Sequence, residues 1–305
     1  LHAALATVAR GGGPEGEARL LARLEAVACR PIARNRAWRQ GLPATRRLQA
    51  LRLALDDGDR RAIDLVLHAI AALGHAVTVR LVRTALAAGD ERRRANAVEA
   101  LTTLAHRHPL LRRLVLPLLP ILDPAGAGSG RLRAPPEAAI LAAAAADPDP
   151  WLRRGAAFAR GESEGEVMGR LLFLRTVPLF EGMSLDDLIA LDEALLVETY
   201  LAGEPVIGEG ETGDKLYLIH EGEVRVTAAG RELARLGPSE HFGEMAMLDY
   251  RPRSATVTAL TDCTLLTLRR DRFRSLVAER PDVLLHICRV FGERLRAMNQ
   301  RLALG

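Results

Sequence analysis

Glycines at 203, 210, 213 and 222 cut the stretch GEPVIGEGETGDKLYLIHEGEVRV, residues 203–226, into apolar runs too short to bury a helix face. A helix in a globular protein needs roughly 10 to 12 residues for that. The spacing therefore predicts short strands joined by turns. Alternation supports the same reading, because Val224 and Val226 point one way while Glu223 and Arg225 point the other. Residues 255–260 and 263–268 have strand composition too. Two helices are expected to follow. Asp271 is placed to cap the first, which Pro281 ends, and the last, 282–302, carries Leu284, Ile287, Cys288, Phe291, Leu295, Met298 and Leu302 on one stripe. Gly292 interrupts that stripe and is read either as a hinge or as a site of close packing.

Residues 242–257, FGEMAMLDYRPRSATV, carry the chemistry. A ligand that presents a sugar hydroxyl beside a singly charged phosphate needs one strong acceptor and one fixed cation close together. Glu244 and Arg253 supply that pair. Gly243 allows close backbone approach, and the turn 244–248 is expected to aim free amides, those of Met245 and Ala246 among them, at an anion. Arg253 adds a charge-assisted contact, and Ser254 a hydroxyl donor. Either half alone reads as an ordinary β-turn with solvated charges. The two together, behind the glycine ladder, point to one site.

On these residues the segment 166–304 resembles the cyclic nucleotide-binding domain of bacterial catabolite activators, cyclic nucleotide-dependent kinases and gated channels. FGEMAML followed by RPRSATVTA is similar to that family's phosphate-binding cassette, and the glycines stand where the family turns its β-roll. His241 departs mildly from the pattern, standing where another polar or aromatic residue often precedes the phenylalanine. The resemblance implies a jelly-roll-type β-roll with flanking helices. It also implies that Glu244 takes the ribose 2′-hydroxyl, and that Arg253 and Ser254, with the amides of Met245 and Ala246, hold the phosphate of cAMP or cGMP. A residue on the final helix would cap the purine. Phe291 and Leu295 offer an apolar cap with no carboxylate on their face to seek guanine, since Glu293 lies on another, so cAMP is the expected ligand.

The first half has a different texture. Aromatic residues make up 4% of the chain, which suits helices packed by alanine and leucine. Ile63, Val66, Leu67, Ile70 and Leu73 fall on one helix face, and the next pattern, 77–88, stops at Gly89 before another helix opens at Asp90. Gly58-Asp59 and Gly89-Asp90 stand 31 residues apart, each read as a cap ahead of a helix, and DPDPWLRRGAAFA at 147–159 echoes the pattern. This segment resembles HEAT repeats. The expected architecture is thus an α+β multidomain chain: HEAT-like α-helical repeats over 1–160, with a Pro/Gly-rich loop at 123–136, then a nucleotide-binding β-roll over 167–305.

Charge divides the same way. Residues 1–165 hold 25 basic and 16 acidic side chains, net +9, and the remainder holds 17 against 22, net −5, so anion binding in the second half has to be local. Of 42 basic residues only Lys215 is lysine, a bias of coding background more than of partner, and the arginines of the first half read as a solvated helical face. Specific nucleic-acid binding is not expected. Cys29, Cys263 and Cys288 form no metal-ligand spacing and are expected to be buried thiols in a reducing, cytoplasmic compartment, and the pair His106 and His108 has no second cluster to complete a metal site. No uninterrupted apolar run approaches bilayer length.

There is no GxxxxGK[ST], HExxH or GxSxG motif and no second carboxylate placed to work with Glu244, so no enzyme is expected. The expected function is a non-catalytic regulatory module: a cyclic nucleotide sensor coupled to a helical protein-interaction domain, with a homodimer through the C-terminal helix as a further option. The start at Leu1 suggests a piece of something longer, such as the cytosolic part of a bacterial membrane transporter. A transcription regulator of catabolite-activator type is the alternative, its DNA reader lying beyond Gly305, and a scaffold whose roll binds nothing is a third.

Overall fold

The computed structural model describes residues 19, 21–88, 91–122, 134–162, 166–248 and 250–304. Its contacts divide the chain into two units, Leu1–Gly165 and Glu166–Gly305. Gly89 and Asp90, read from the sequence as a helix cap, and residues 123–133 of the Pro/Gly-rich segment lie outside the described residues.

The first unit is helical. Its helices are α1 (Arg30–Gly41), α2 (Gln49–Ile70), α3 (Ala76–Ala88), α4 (Glu91–Arg107), α5 (Pro109–Val115), α6 (Leu119–Leu122), α7 (Glu137–Ala145) and α8 (Pro150–Arg160). The stripe on α2 is real, since Val66, Leu67 and Ile70 are fully buried and Ile63 and Leu73 pack against the same core, which includes Leu101 of α4 and Leu114 of α5. The run Arg46–Ala85 contains an eighteen-residue stretch of mean hydropathy 1.8, apolar and long enough by those two measures to cross a membrane. It is bent, because Gly74 adopts φ 98° within the turn Ala71–His75.

One sequence expectation fails here. Gly58-Asp59 does not cap a helix; α2 runs through it. The reason is tertiary. Asp59 is buried and its carboxylate accepts from Asn35 Nδ2 at 2.8 Å and Arg39 Nη1 at 2.6 Å, both on α1, so its oxygens serve a neighbouring helix instead of the local backbone. Asp149, by contrast, does cap α8, accepting from the Trp151 amide at 2.9 Å. Arg61 then links Asp149 to the buried Asp57 on its own helix.

Helix α8 also approaches α2 at backbone distance. A Cβ on Gly155 would sit 2.8 Å from the Leu51 Cα, closer than real Cβ contacts allow. In a solenoid each repeat touches only its neighbours, and this contact joins helices far apart in the chain.

The second unit opens with α9 (Glu166–Thr176) and α10 (Leu185–Ala194), the latter capped by Ser184. Among the described residues eight strands follow: β1 (Leu195–Tyr200), β2 (Pro205–Ile207), β3 (Lys215–Glu221), β4 (Val224–Ala228), β5 (Arg231–Leu236), β6 (His241–Phe242), β7 (Thr256–Ala259) and β8 (Cys263–Arg269). They form two four-stranded antiparallel sheets, ordered β1-β8-β3-β6 and β2-β7-β4-β5. Their apolar core combines Tyr217, Ile219, Phe242, Cys263 and Leu265 from the first sheet with Ile207, Val224, Val257 and Ala259 from the second. Between β6 and β7 lies the single turn α11 (Met245–Leu248), and the unit ends with α12 (Arg270–Glu279) and α13 (Pro281–Leu304).

The C-terminal helices depart from expectation in three details. Asp271 lies inside the first turn of α12, whose N-cap is Arg269. Pro281 starts α13 instead of merely ending α12, because a proline at the first helical position lacks an N–H that would be unpaired anyway. Cys288 is exposed, whereas Cys29 and Cys263 are buried. On the predicted stripe Ile287 is buried, and Val283, which the stripe omitted, is buried as well. The side chains of Leu295, Met298 and Leu302 lie outside the described residues.

Two outcomes follow for the folded chain. Gly155→Val should destabilise the helical unit by about 1 to 3 kcal/mol through overpacking, while Gly237→Ala, which meets nothing within 4 Å, should leave stability unchanged; denaturant unfolding of both variants measures this. Ellman's reagent should titrate Cys288 alone in the native protein and all three thiols after denaturation. Burial, reinforced by the Glu25 charge, pushes the Cys29 thiol up to about 11, which keeps it in the unreactive form.

Candidate functional site

The cassette is assembled by backbone geometry first. Strand β6 ends at Phe242; Gly243 follows with a φ of 77°, in the region that only glycine enters without strain, and the chain then turns into α11. On the far side of α11 the chain returns toward β7, and the Arg253 backbone is held on both faces. Its amide donates to the Glu211 carbonyl at 2.8 Å, and its own carbonyl accepts from the Gly210 amide at 2.8 Å.

The Arg253 side chain enters a slot between the 213–215 segment and Gly243. Its Nη2 donates to the Lys215 carbonyl at 2.9 Å and its Nη1 to the Gly243 carbonyl at 3.2 Å. The slot exists because two side chains are missing. A Cβ on Gly213 would lie 1.9 Å from Arg253 Nε, and one on Gly243 would lie 2.7 Å from Nη1. The guanidinium stands 5.9 Å from the centre of the Tyr217 ring, which stacks on Phe242 at 4.9 Å.

Burial lowers the pKa of Arg253, opposed by Tyr217 and Asp214 and assisted by the nearby Arg270. A guanidinium nevertheless stays charged at neutral pH. Its partners are carbonyls, and no ion pair joins it to a carboxylate among the described residues. Buried charges are ordinarily paired. This half-buried cation is therefore electrostatically incomplete.

Arg253 lines a cavity of about 280 Å³ together with Gly243, Glu244, Met245 and Ser254. Five of the six residues singled out from the sequence thus border one space, and the sixth, Ala246, falls in the same helical turn. Glu244 is half-buried there, and no hydrogen bond or ion pair of its carboxylate occurs among the described residues. Phe291, the expected cap from the terminal helix, is not among the lining residues.

An apolar wall of the same cavity is built by Ile207, Val226, Ala234, Leu236 and Val257 of the second sheet. An acid, a cation and apolar side chains lining one cavity suit a ligand with a flat ring joined to a sugar phosphate. Sequence reasoning passed over this wall, although its signal was present: Ala234 and Leu236 flank Arg235 with the period of two that marks an inward face. The Lys215 carbonyl had no such signal, because a main-chain acceptor is the same in every residue.

Comparison with known proteins agrees with this geometry. Residues 197–280, from β1 through α12, match the family profile of the cyclic nucleotide-binding domain. Over 130 residues the chain is 36% identical to the CRP-like cAMP-activated global transcriptional regulator of Mycobacterium tuberculosis, covering 41% of this chain and 58% of that protein. It is 38% identical over 150 residues to the cAMP-dependent protein kinase regulatory subunit of Eremothecium gossypii, covering 48% of this chain and 33% of that one. The Cyclic AMP receptor protein of Thermus thermophilus is 36% identical over 132 residues, with 42% and 61% covered. The chain thus spans less than two thirds of each of these relatives. Its C-terminal unit carries a cyclic nucleotide-binding domain.

The slot is open to a direct check. Gly213→Ala should expel the guanidinium from the Lys215 and Gly243 carbonyls, shifting the Arg253 Nε resonance in nitrogen-15 spectra. An unshifted resonance would mean that the slot tolerates a side chain.

Proposed function

We propose that the protein is a non-catalytic sensor of cAMP, its nucleotide-binding unit joined to a helical domain that engages protein partners. The observation that carries this is Arg253: a half-buried cation whose hydrogen-bond partners among the described residues are carbonyls, lining a cavity it shares with Glu244. A cyclic phosphate supplies the missing anion, and the ribose 2′-hydroxyl supplies a donor for Glu244. Ser254 and the amides of Met245 and Ala246 complete the phosphate contacts, Gly243 lets the backbone come close, and the apolar wall takes the purine. The names of the relatives support a regulatory role for the ligand and favour cAMP, although cGMP fits the same phosphate site.

Several finer elements belong to this proposal. The helical unit is read as HEAT-like on the Asp149-capped α8 with its following arginines, even though the α2–α8 contact exceeds what neighbour stacking requires. A bacterial membrane transporter with this chain in its cytosolic part rests on domain order alone. Homodimerisation through α13 draws support from Leu285 and Cys288, which stand exposed on it. The second reading, a transcription regulator, is favoured by what the Mycobacterium relative is named for.

Calorimetry on the whole chain tests the sensor. Binding of cAMP at micromolar affinity or tighter, about −8 kcal/mol or better, is the expected result, and no heat with millimolar cAMP or cGMP defeats the reading. Arg253→Ala should cost about 2 to 5 kcal/mol, and Ser254→Ala about 0.5 to 1.5 kcal/mol. Specific retention of a palindromic duplex at physiological salt, enhanced by cAMP, would instead establish the transcription regulator.

A further inference from the structure

Among 42 basic residues Lys215 is the single lysine, in a chain that uses arginine at every other basic position. It opens β3 and faces the same side of the sheet as Tyr217 two residues on. Its ammonium does not stop at the adjacent strand. In the order β1-β8-β3 it reaches across β8 to β1, a separation of roughly 10 Å between strand axes, and donates to Glu198 Oε1 at 2.6 Å.

The same carboxylate accepts from the Tyr200 hydroxyl at 2.9 Å and from Thr267 Oγ1 at 3.2 Å, so one side chain ties β1, β3 and β8 together. Burial pushes the Glu198 carboxyl up, but the hydrogen bonds from Lys215 and Tyr200 outweigh it and hold the group below its ordinary value. The main-chain carbonyl of the same Lys215 receives Arg253 Nη2. The two preceding carbonyls are also occupied: Gly213 accepts from Arg270 Nη2 at 2.9 Å, and Asp214 from the Arg270 amide at 2.8 Å. Arginine would not substitute simply at 215, because a planar fork differs in shape and reach from a single ammonium and would meet a carboxylate already accepting from Tyr200 and Thr267.

We propose that Lys215 is a positioning residue for the cyclic phosphate: its pair with Glu198 anchors the head of β3 so that the Lys215 carbonyl presents Arg253 to the cavity. This rests on the sensor reading above. Lys215 need not touch the ligand, and its effect passes through Arg253.

A single lysine makes the test selective, because reductive methylation of the full chain with carbon-13 formaldehyde labels only Lys215 and the α-amino group. The Lys215 methyl resonance should move in Glu198→Gln and in Arg253→Ala, and stay in place in Gly237→Ala. By calorimetry Lys215→Met should bind cAMP roughly tenfold more weakly, as expected for side chains sharing one hydrogen-bond network, and Lys215→Arg should remain weakened. The loss should vanish in the Arg253→Ala background, which a merely structural role would not produce. Binding by Lys215→Met equal to the parent, or a loss that persists undiminished without Arg253, overturns the proposal. Should Lys215→Met fail to fold, a methyl resonance unmoved by Arg253→Ala overturns it and a moved one supports it. Failure of the parent to bind cAMP defeats the sensor reading, and the resonance still reports separately whether Lys215 and Arg253 are coupled.

Discussion

The charge of Arg253 is the constraint around which the nucleotide-binding unit is arranged. A guanidinium drawn out of water needs either an opposite charge or oriented dipoles, and the protein provides dipoles in the carbonyls of Lys215 and Gly243. That choice dictates much else. Both flanking positions, Gly213 and Gly243, must lack side chains, because a Cβ at either one would overlap the guanidinium. The 210–215 segment must stay in register with the returning chain, and the Gly210 and Glu211 backbone bonds to residue 253 keep it there. The second sheet adds an apolar wall to the cavity that the cation lines.

The helical unit treats half-buried arginines differently. Arg39 pairs with Asp56 and Asp59, Arg34 with Asp147, and Arg61 with Asp57 and Asp149. Each of these cations meets carboxylates within the fold, so their charges are spent on fixing how α1, α2 and the α8 cap fit together. Removing such an arginine leaves the buried carboxylate of Asp57, Asp59 or Asp147 uncompensated, a loss larger than the worth of the pair itself. The same residue type thus has two uses in one chain: paired with carboxylates it organises helices, and bonded to the Lys215 and Gly243 carbonyls it lines a cavity.

Much of this was legible without coordinates. The glycine spacing and alternation of residues 203–226 announced short strands, and the linear proximity of Glu244 to Arg253 and Ser254 pointed to residues that border one cavity. Local geometry suffices for both: a positive φ at Gly243 and a period of two along a strand are properties of neighbouring residues. The stripe on α2 was readable for the same reason, because helix periodicity maps burial onto sequence directly.

What the fold alone decided is set by contacts through space. Asp59 looks like a cap in sequence, yet α1 lies close enough to take its carboxylate, and the helix continues. Cys288 belongs to an apolar stripe and still faces outward, because a stripe is wider than the surface it meets. The partners of Arg253 are main-chain carbonyls, which no residue name encodes. The sequence by itself determined the kinds of elements and the chemical identity of the acid, the cation and the hydroxyl; the tertiary structure determined which carbonyls hold the cation and which apolar side chains face it, because both depend on where segments distant in the chain come to rest.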